Sequence, residues 1–172
     1  MFSSLLAVLD SAPRRFFLAL STVCFVMLGY GLYLQVYGGL NPCPMCIVQR
    51  YALIFVAIIA LLTGASARKG MHLLGAALIV LCAGFGAFVA ARQSWLQWYP
   101  PEVATCGRDF YGMIESFPLQ RAIPMIFKGS GDCSAVDWRF LGASLANWSF
   151  LTFTTFGVLA ALMIWRRARQ TR

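Results

Sequence analysis

Residues 43–63 read CPMCIVQRYALIFVAIIALLT. Two cysteines stand at the entrance to an apolar run, and the run from 47 to 63 sits at the short end of the about 17–25 residues that a spanning helix needs. The spacing Cys-x-x-Cys brings two sulfurs close enough to form and break a disulfide. Pro44 supports a helix start at this point, because proline is tolerated in the first turn and not in the interior. Cys46 then lies near a helix N-terminus, where unpaired N–H groups and the macrodipole favour an anion. Arg50 follows at i+4 and projects from the same face as Cys46. A guanidinium there stabilises a Cys46 thiolate and polarises a carbonyl oxygen on a bound acceptor. The plainer alternative is an arginine that snorkels to the headgroups. Gln49 is adjacent to Arg50 but about 100° away around the helix, so nothing in the sequence requires it in the site.

The rest of the chain has the same membrane character. Of 172 residues, 60% are hydrophobic and 12% are charged, where a soluble domain carries about 25% charged residues. Four runs are long enough to cross a bilayer, at about 16–37, 47–63, 71–91 and 147–165. The first has an apolar core longer than that of a cleavable signal and no small-residue cleavage site after it, so it reads as a retained span. The expected fold is an all-α bundle of four transmembrane helices in a single domain, with outer loops at 38–46 and 92–146.

Charge sets the orientation. Arg14, Arg15, Arg68, Lys69, Arg166, Arg167, Arg169 and Arg172 all fall at the ends of spans on one side. The positive-inside rule makes that side cytoplasmic and places both termini there. Glu102, Asp109, Glu115, Asp132 and Asp137 fall in the long loop on the other side. The net charge of +8 is therefore a topology signal. Basic residues scattered around membrane ends do not form a nucleic-acid patch.

Of the six cysteines, Cys24 and Cys82 lie inside spans and read as small buried apolar residues. Cys43, Cys46, Cys106 and Cys133 all lie on the outer face, the side where disulfides persist. Cys106 and Cys133 are separated by 26 residues and admit two readings. One is a static staple that constrains the loop. The other is a second redox pair in a relay, in which each pair passes electrons on by thiolate attack on the next disulfide. A zinc site built from all four is disfavoured, because only one pair has ligand spacing and the face is oxidising. Haem-attachment, dinucleotide and iron–sulfur motifs are absent from the sequence. A lipid-soluble two-electron acceptor suits a redox pair at a membrane boundary, and a quinone has that chemistry.

Several stretches carry a family resemblance. They are Pro42-Cys43-Pro44-Met45-Cys46 with Gln49-Arg50, then Leu96-Gln97-Trp98-Tyr99-Pro100 leading to Ala104-Thr105-Cys106. Further on come Ser130-Gly131-Asp132-Cys133 and Trp138-Arg139-Phe140-Leu141-Gly142. In this order and topology the chain resembles the bacterial disulfide bond formation protein B family. The resemblance implies an inner-membrane enzyme that reoxidises a periplasmic DsbA-like dithiol oxidase of thioredoxin fold. It implies attack of that partner at Cys106, a transient bridge between Cys133 and Cys43, and regeneration of Cys43–Cys46 by ubiquinone or menaquinone. Cys46 then faces the quinone, and Arg50 matches the arginine that supports it. Some members place a histidine where this chain has Gln93. The only histidine, His72, opens the third span on the cytoplasmic side and reads as structural.

The long outer loop is rich in aromatics, among them Trp95, Trp98, Tyr99, Phe110, Tyr111 and Phe117. Phe110, Ile114 and Phe117 share a helical face, so a short helix on the lipid surface and ordinary loop packing both fit. Two other functions stay open on the residues alone. One is a membrane scaffold whose outer disulfides are structural. The other is a vitamin K epoxide reductase-like quinone enzyme, although its Cys-x-x-Cys lies in a late span.

Overall fold

The computed structural model describes residues 12–39, 42–100, 136 and 138–170. The helices are α1 Pro13–Tyr37, α2 Pro44–Ala65, α3 Lys69–Trp98 and α4 Leu145–Gln170. All four are long and apolar enough to cross a membrane, which is the expected all-α bundle. A small antiparallel hairpin precedes α4, with β1 Arg139–Phe140 paired to β2 Ala143–Ser144. The helix expected over 110–117 lies outside the described residues, as does the choice between it and loop packing.

Helix ends follow backbone chemistry more than lipid depth. Pro13 opens α1 and Pro44 opens α2, each in the first turn. The third helix runs past its apolar stretch to Trp98. Nothing in Arg92-Gln93-Ser94-Trp95-Leu96-Gln97 opposes helix, and Pro100-Pro101 follows its end. The consequence is that Gln93 and Gln97 ride on a rigid helix. The hairpin turn puts Leu141 and Gly142 at φ of 51° and 80°, the paired left-handed geometry of a two-residue hairpin loop.

Consecutive helices pack on one another: α1 on α2, α2 on α3, and α3 on α4. Lipid is as apolar as leucine, so close backbone approach and interhelical hydrogen bonds must replace hydrophobic collapse. The core supplies both. Ala52, Ala57, Ala60, Ala76, Ala83 and Ala160 are buried together with Phe17, Ile79, Phe153 and Met163. Ser21 Oγ donates to the Ala57 carbonyl at 3.0 Å inside the bundle. Gly75 leaves room for Thr63, and Gly86 sits under the Phe153 ring. Cys24 is fully buried in this core and Cys82 packs against it.

Antiparallel succession gathers the start of α1, the end of α2, the start of α3 and the end of α4 at one end of the bundle. Arg14, Arg68 and Arg167 belong to that end. Arg14 Nε donates to the Gly64 carbonyl at 3.1 Å, taking up one of the carbonyls that the end of α2 leaves unsatisfied. The ring of His72 is buried, with Nε2 2.9 Å from the Ser66 carbonyl and the ring against Phe17. The Cys43 and Cys46 pair lies at the opposite end.

A Cβ at Gly86 would stand 2.6 Å from Phe153 Cε1. Gly86→Ala is therefore expected to destabilise the bundle by about 1–3 kcal/mol, measured by thermal unfolding in detergent. Phe153→Leu in the same chain should recover part of the loss.

Candidate functional site

The site begins at a helix cap. Cys43 is the N-cap of α2, and its sulfur accepts from the Cys46 backbone N–H at 3.3 Å. One of the orphan donors of the helix start is thereby satisfied by sulfur. Cys46 lies three residues on, in the first turn, and the two sulfurs are 2.7 Å apart. That closeness lets the pair join through small side-chain rotations. Cys43 is buried and Cys46 half-buried.

A polar set converges on the pair from neighbouring helices. Gln93 on α3 brings its Nε2 to 3.2 Å from each sulfur. Gln49 on α2 donates from Nε2 to Gln93 Oε1 at 2.7 Å. Arg50 donates from Nη1 to Gln35 Oε1 on α1 at 2.9 Å. Gln97, one helical turn beyond Gln93, accepts from Ser144 Oγ at 2.6 Å. The same hydroxyl accepts from the Asn147 N–H at 3.4 Å and so caps the start of α4. Trp148 Nε1 then holds the Phe140 carbonyl at 3.1 Å, which fixes the hairpin against α4.

These residues line a cavity of about 410 Å³ between the four helices. Its walls include Met27, Leu34, Leu53 and Phe153, with Trp138 from the segment before the hairpin. An apolar chamber of this size with a few convergent polar groups is the form of a small-molecule site. Cys46, Cys43, Arg50, Gln49, Gln93 and Gln35 all border it. The arrangement can hold a flat apolar molecule against two sulfurs and offer N–H donors to its oxygens.

Three of the five residues expected at the site, Cys43, Cys46 and Arg50, meet here. Cys106 and Cys133 lie outside the described residues. Arg50 hydrogen-bonds Gln35, and among the described residues Gln93 and the Cys46 backbone bring N–H donors to the sulfurs.

Gln49 corrects the sequence reading. It is buried in the site, bonded to Gln93. The angle from Arg50 was the wrong reference. Measured from Cys46, Gln49 is at i+3, a neighbour on the helix surface. Gln35 borders the chamber as well. Its only signal was an amide within an apolar run, Leu34-Gln35-Val36.

The Ser144 hydroxyl makes two bonds, so Ser144→Ala is expected to cost about 1 kcal/mol at the α4 cap. Amide hydrogen exchange at residues 145–150 should become severalfold faster, and Ser144→Thr should restore it.

The profile of the family described as "Disulfide bond formation protein DsbB" matches residues 13–163. The chain is similar to "Disulfide bond formation protein B" of Albidiferax ferrireducens, at 69% identity over 159 residues, covering 92% of this chain and 91% of the relative. A protein of the same name from Polaromonas sp. is 61% identical over 165 residues, covering 96% and 98%. One from Azoarcus sp. is 52% identical over 158 residues, covering 91% and 95%.

Proposed function

The chain belongs to the disulfide bond formation protein DsbB family, and from that membership we propose that it is a quinone-dependent protein disulfide oxidoreductase. Its substrate is a reduced DsbA-like dithiol oxidase of thioredoxin fold, and its acceptor is ubiquinone or menaquinone. Its place is the bacterial inner membrane, with both termini cytoplasmic and the sulfur pair toward the periplasm. The gathering of basic helix ends opposite the sulfurs supports that orientation. Bacterial periplasms are kept oxidising by a DsbA–DsbB–quinone chain, which is the setting such an enzyme needs.

The observation that carries the reading is a close sulfur pair opening onto an apolar chamber with donors on its wall. A quinone is flat, lipid-soluble and has two oxygens to be polarised, and these walls fit one. Arg50, with Gln35 steadying its guanidinium, would bind a quinone oxygen, and Met27, Leu34 and Phe153 would cover the ring. When bound, the quinone supplies a sink for two electrons and two protons.

The protein's own steps are thiol–disulfide exchanges. A partner thiolate attacks the Cys106–Cys133 disulfide at Cys106 and expels Cys133 as thiolate. Cys133 attacks Cys43 of the Cys43–Cys46 disulfide and expels Cys46, whose thiolate is stabilised by the Gln93 amide. The partner's second thiol resolves its mixed disulfide and frees Cys106. Cys106 attacks Cys133, restoring the first disulfide and leaving Cys43 and Cys46 reduced. Two electrons and two protons have then moved from partner to pair.

Thiol trapping tests this. Ubiquinone added to the reduced protein should consume the Cys43 and Cys46 thiols, and Cys46→Ser should abolish that loss. Persistence of both thiols in the wild type would sink the oxidase reading and leave a structural role for the outer disulfides. Arg50→Ala should raise the KM for quinone about tenfold or more, the scale of a lost hydrogen bond from a charged group. An unchanged KM would make Arg50 a snorkelling residue.

A further inference from the structure

Gln93 meets both sulfurs through one amide, and Gln49 favours the orientation that brings its nitrogen closest to them. The oxygen and nitrogen ends of a glutamine are nearly the same shape but opposite in hydrogen bonding. Gln49 Nε2 donates to the Gln93 oxygen at 2.7 Å, while the Cys46 sulfur stands farther from that oxygen, at 3.7 Å. The Gln93 nitrogen is therefore turned to the sulfurs, 3.2 Å from each. Gln49 and Gln93 are 5% and 3% exposed, so water is a poor substitute for either. A donor held on sulfur favours thiolate over neutral thiol.

We propose that Gln49 is a positioning residue for the sulfur pair. By holding the oxygen of Gln93, it keeps an N–H donor on Cys43 and Cys46 and raises the fraction of the pair present as thiolate. The inference rests on the reading of Cys43 and Cys46 as the redox pair. It assigns Gln49 a role through Gln93, without contact to the acceptor.

The other described groups of the chamber wall are of different kinds. Among the described residues bordering the chamber, Arg50 on α2 is the charged group and Tyr30 on α1 the titratable phenol. Arg50 is engaged with Gln35. The third and fourth helices face the chamber with Gln93, Gln97, Ser149 and Thr152, and β2 with Ser144, all neutral. The Cys46 N–H reaches the Cys43 sulfur, whereas Gln93 reaches both sulfurs.

The test uses the full chain, reduced and in detergent. Alkylation of Cys43 and Cys46 by iodoacetamide is followed across pH by peptide-resolved mass spectrometry. The midpoint is read as a property of the coupled pair. Gln49→Met keeps the bulk and removes the amide. It should move the midpoint up by about one pH unit, which is about tenfold less thiolate at any pH well below it. Gln93→Met should do the same, and the double variant should add nothing further. A wild-type midpoint in Gln49→Met, or a double variant in which the two shifts sum, overturns the proposal.

A second measurement needs no substitution. The side-chain amide resonance of Gln93 in the reduced wild-type protein should titrate with the pair's midpoint, and a pH-independent resonance overturns the proposal. Quinone-driven thiol loss in the wild type is assayed in parallel. Its absence would refute the oxidase assignment, while the alkylation profiles would still decide the role of Gln49.

Discussion

A helix that starts in or near lipid leaves its first N–H groups without water to bond, and an unsatisfied one costs several kcal/mol. In α2 a cysteine sulfur takes up one of these donors. A sulfur of the Cys-x-x-Cys pair is thus also a structural atom, and the rest of the site follows from where that cap must be. Pro44 gives up an N–H that had no partner and sets the helical φ. Cys46, Gln49 and Arg50 then rise from the capped turn at i, i+3 and i+4, which turns all three toward the same chamber. Helices α1 and α3 complete the wall with Gln35 and Gln93.

The opposite end of the bundle is built from the same constraint with other atoms. The carbonyls that α2 leaves unsatisfied meet Arg14, and His72 of α3 meets the carbonyl just beyond. One helix therefore ends on a guanidinium and an imidazole and begins on sulfur. Between the ends, packing depends on small residues and on Ser21 reaching across to α2.

The four spans and the sulfur pair were legible because their signals are strong and local: long apolar runs, a Cys-x-x-Cys, and a proline at a boundary. The one-sided basic residues foreshadowed the gathering of helix ends. The continuation of α3 to Trp98 was hidden because hydropathy falls at Arg92 while helix formation does not. The Gln49 to Gln93 bond joins residues 44 apart in the chain, and no periodicity within one helix reports it. The hairpin at Leu141 and Gly142 was hidden too, since its strands are two residues each and a leucine at positive φ is not a turn signal. The roles of Cys106 and Cys133 rest on family membership and sequence order.

The four glutamines that border the chamber have a consequence for proton traffic. An amide neither releases nor takes up a proton near neutral pH, and a guanidinium stays charged throughout. Among the described residues of the wall, then, no carboxylate or imidazole stands ready to store a proton. Oxidising two thiols to a disulfide liberates two protons along with two electrons. On the described walls, the amides and the guanidinium therefore keep one charge state across neutral pH while the sulfurs are the groups that can change theirs.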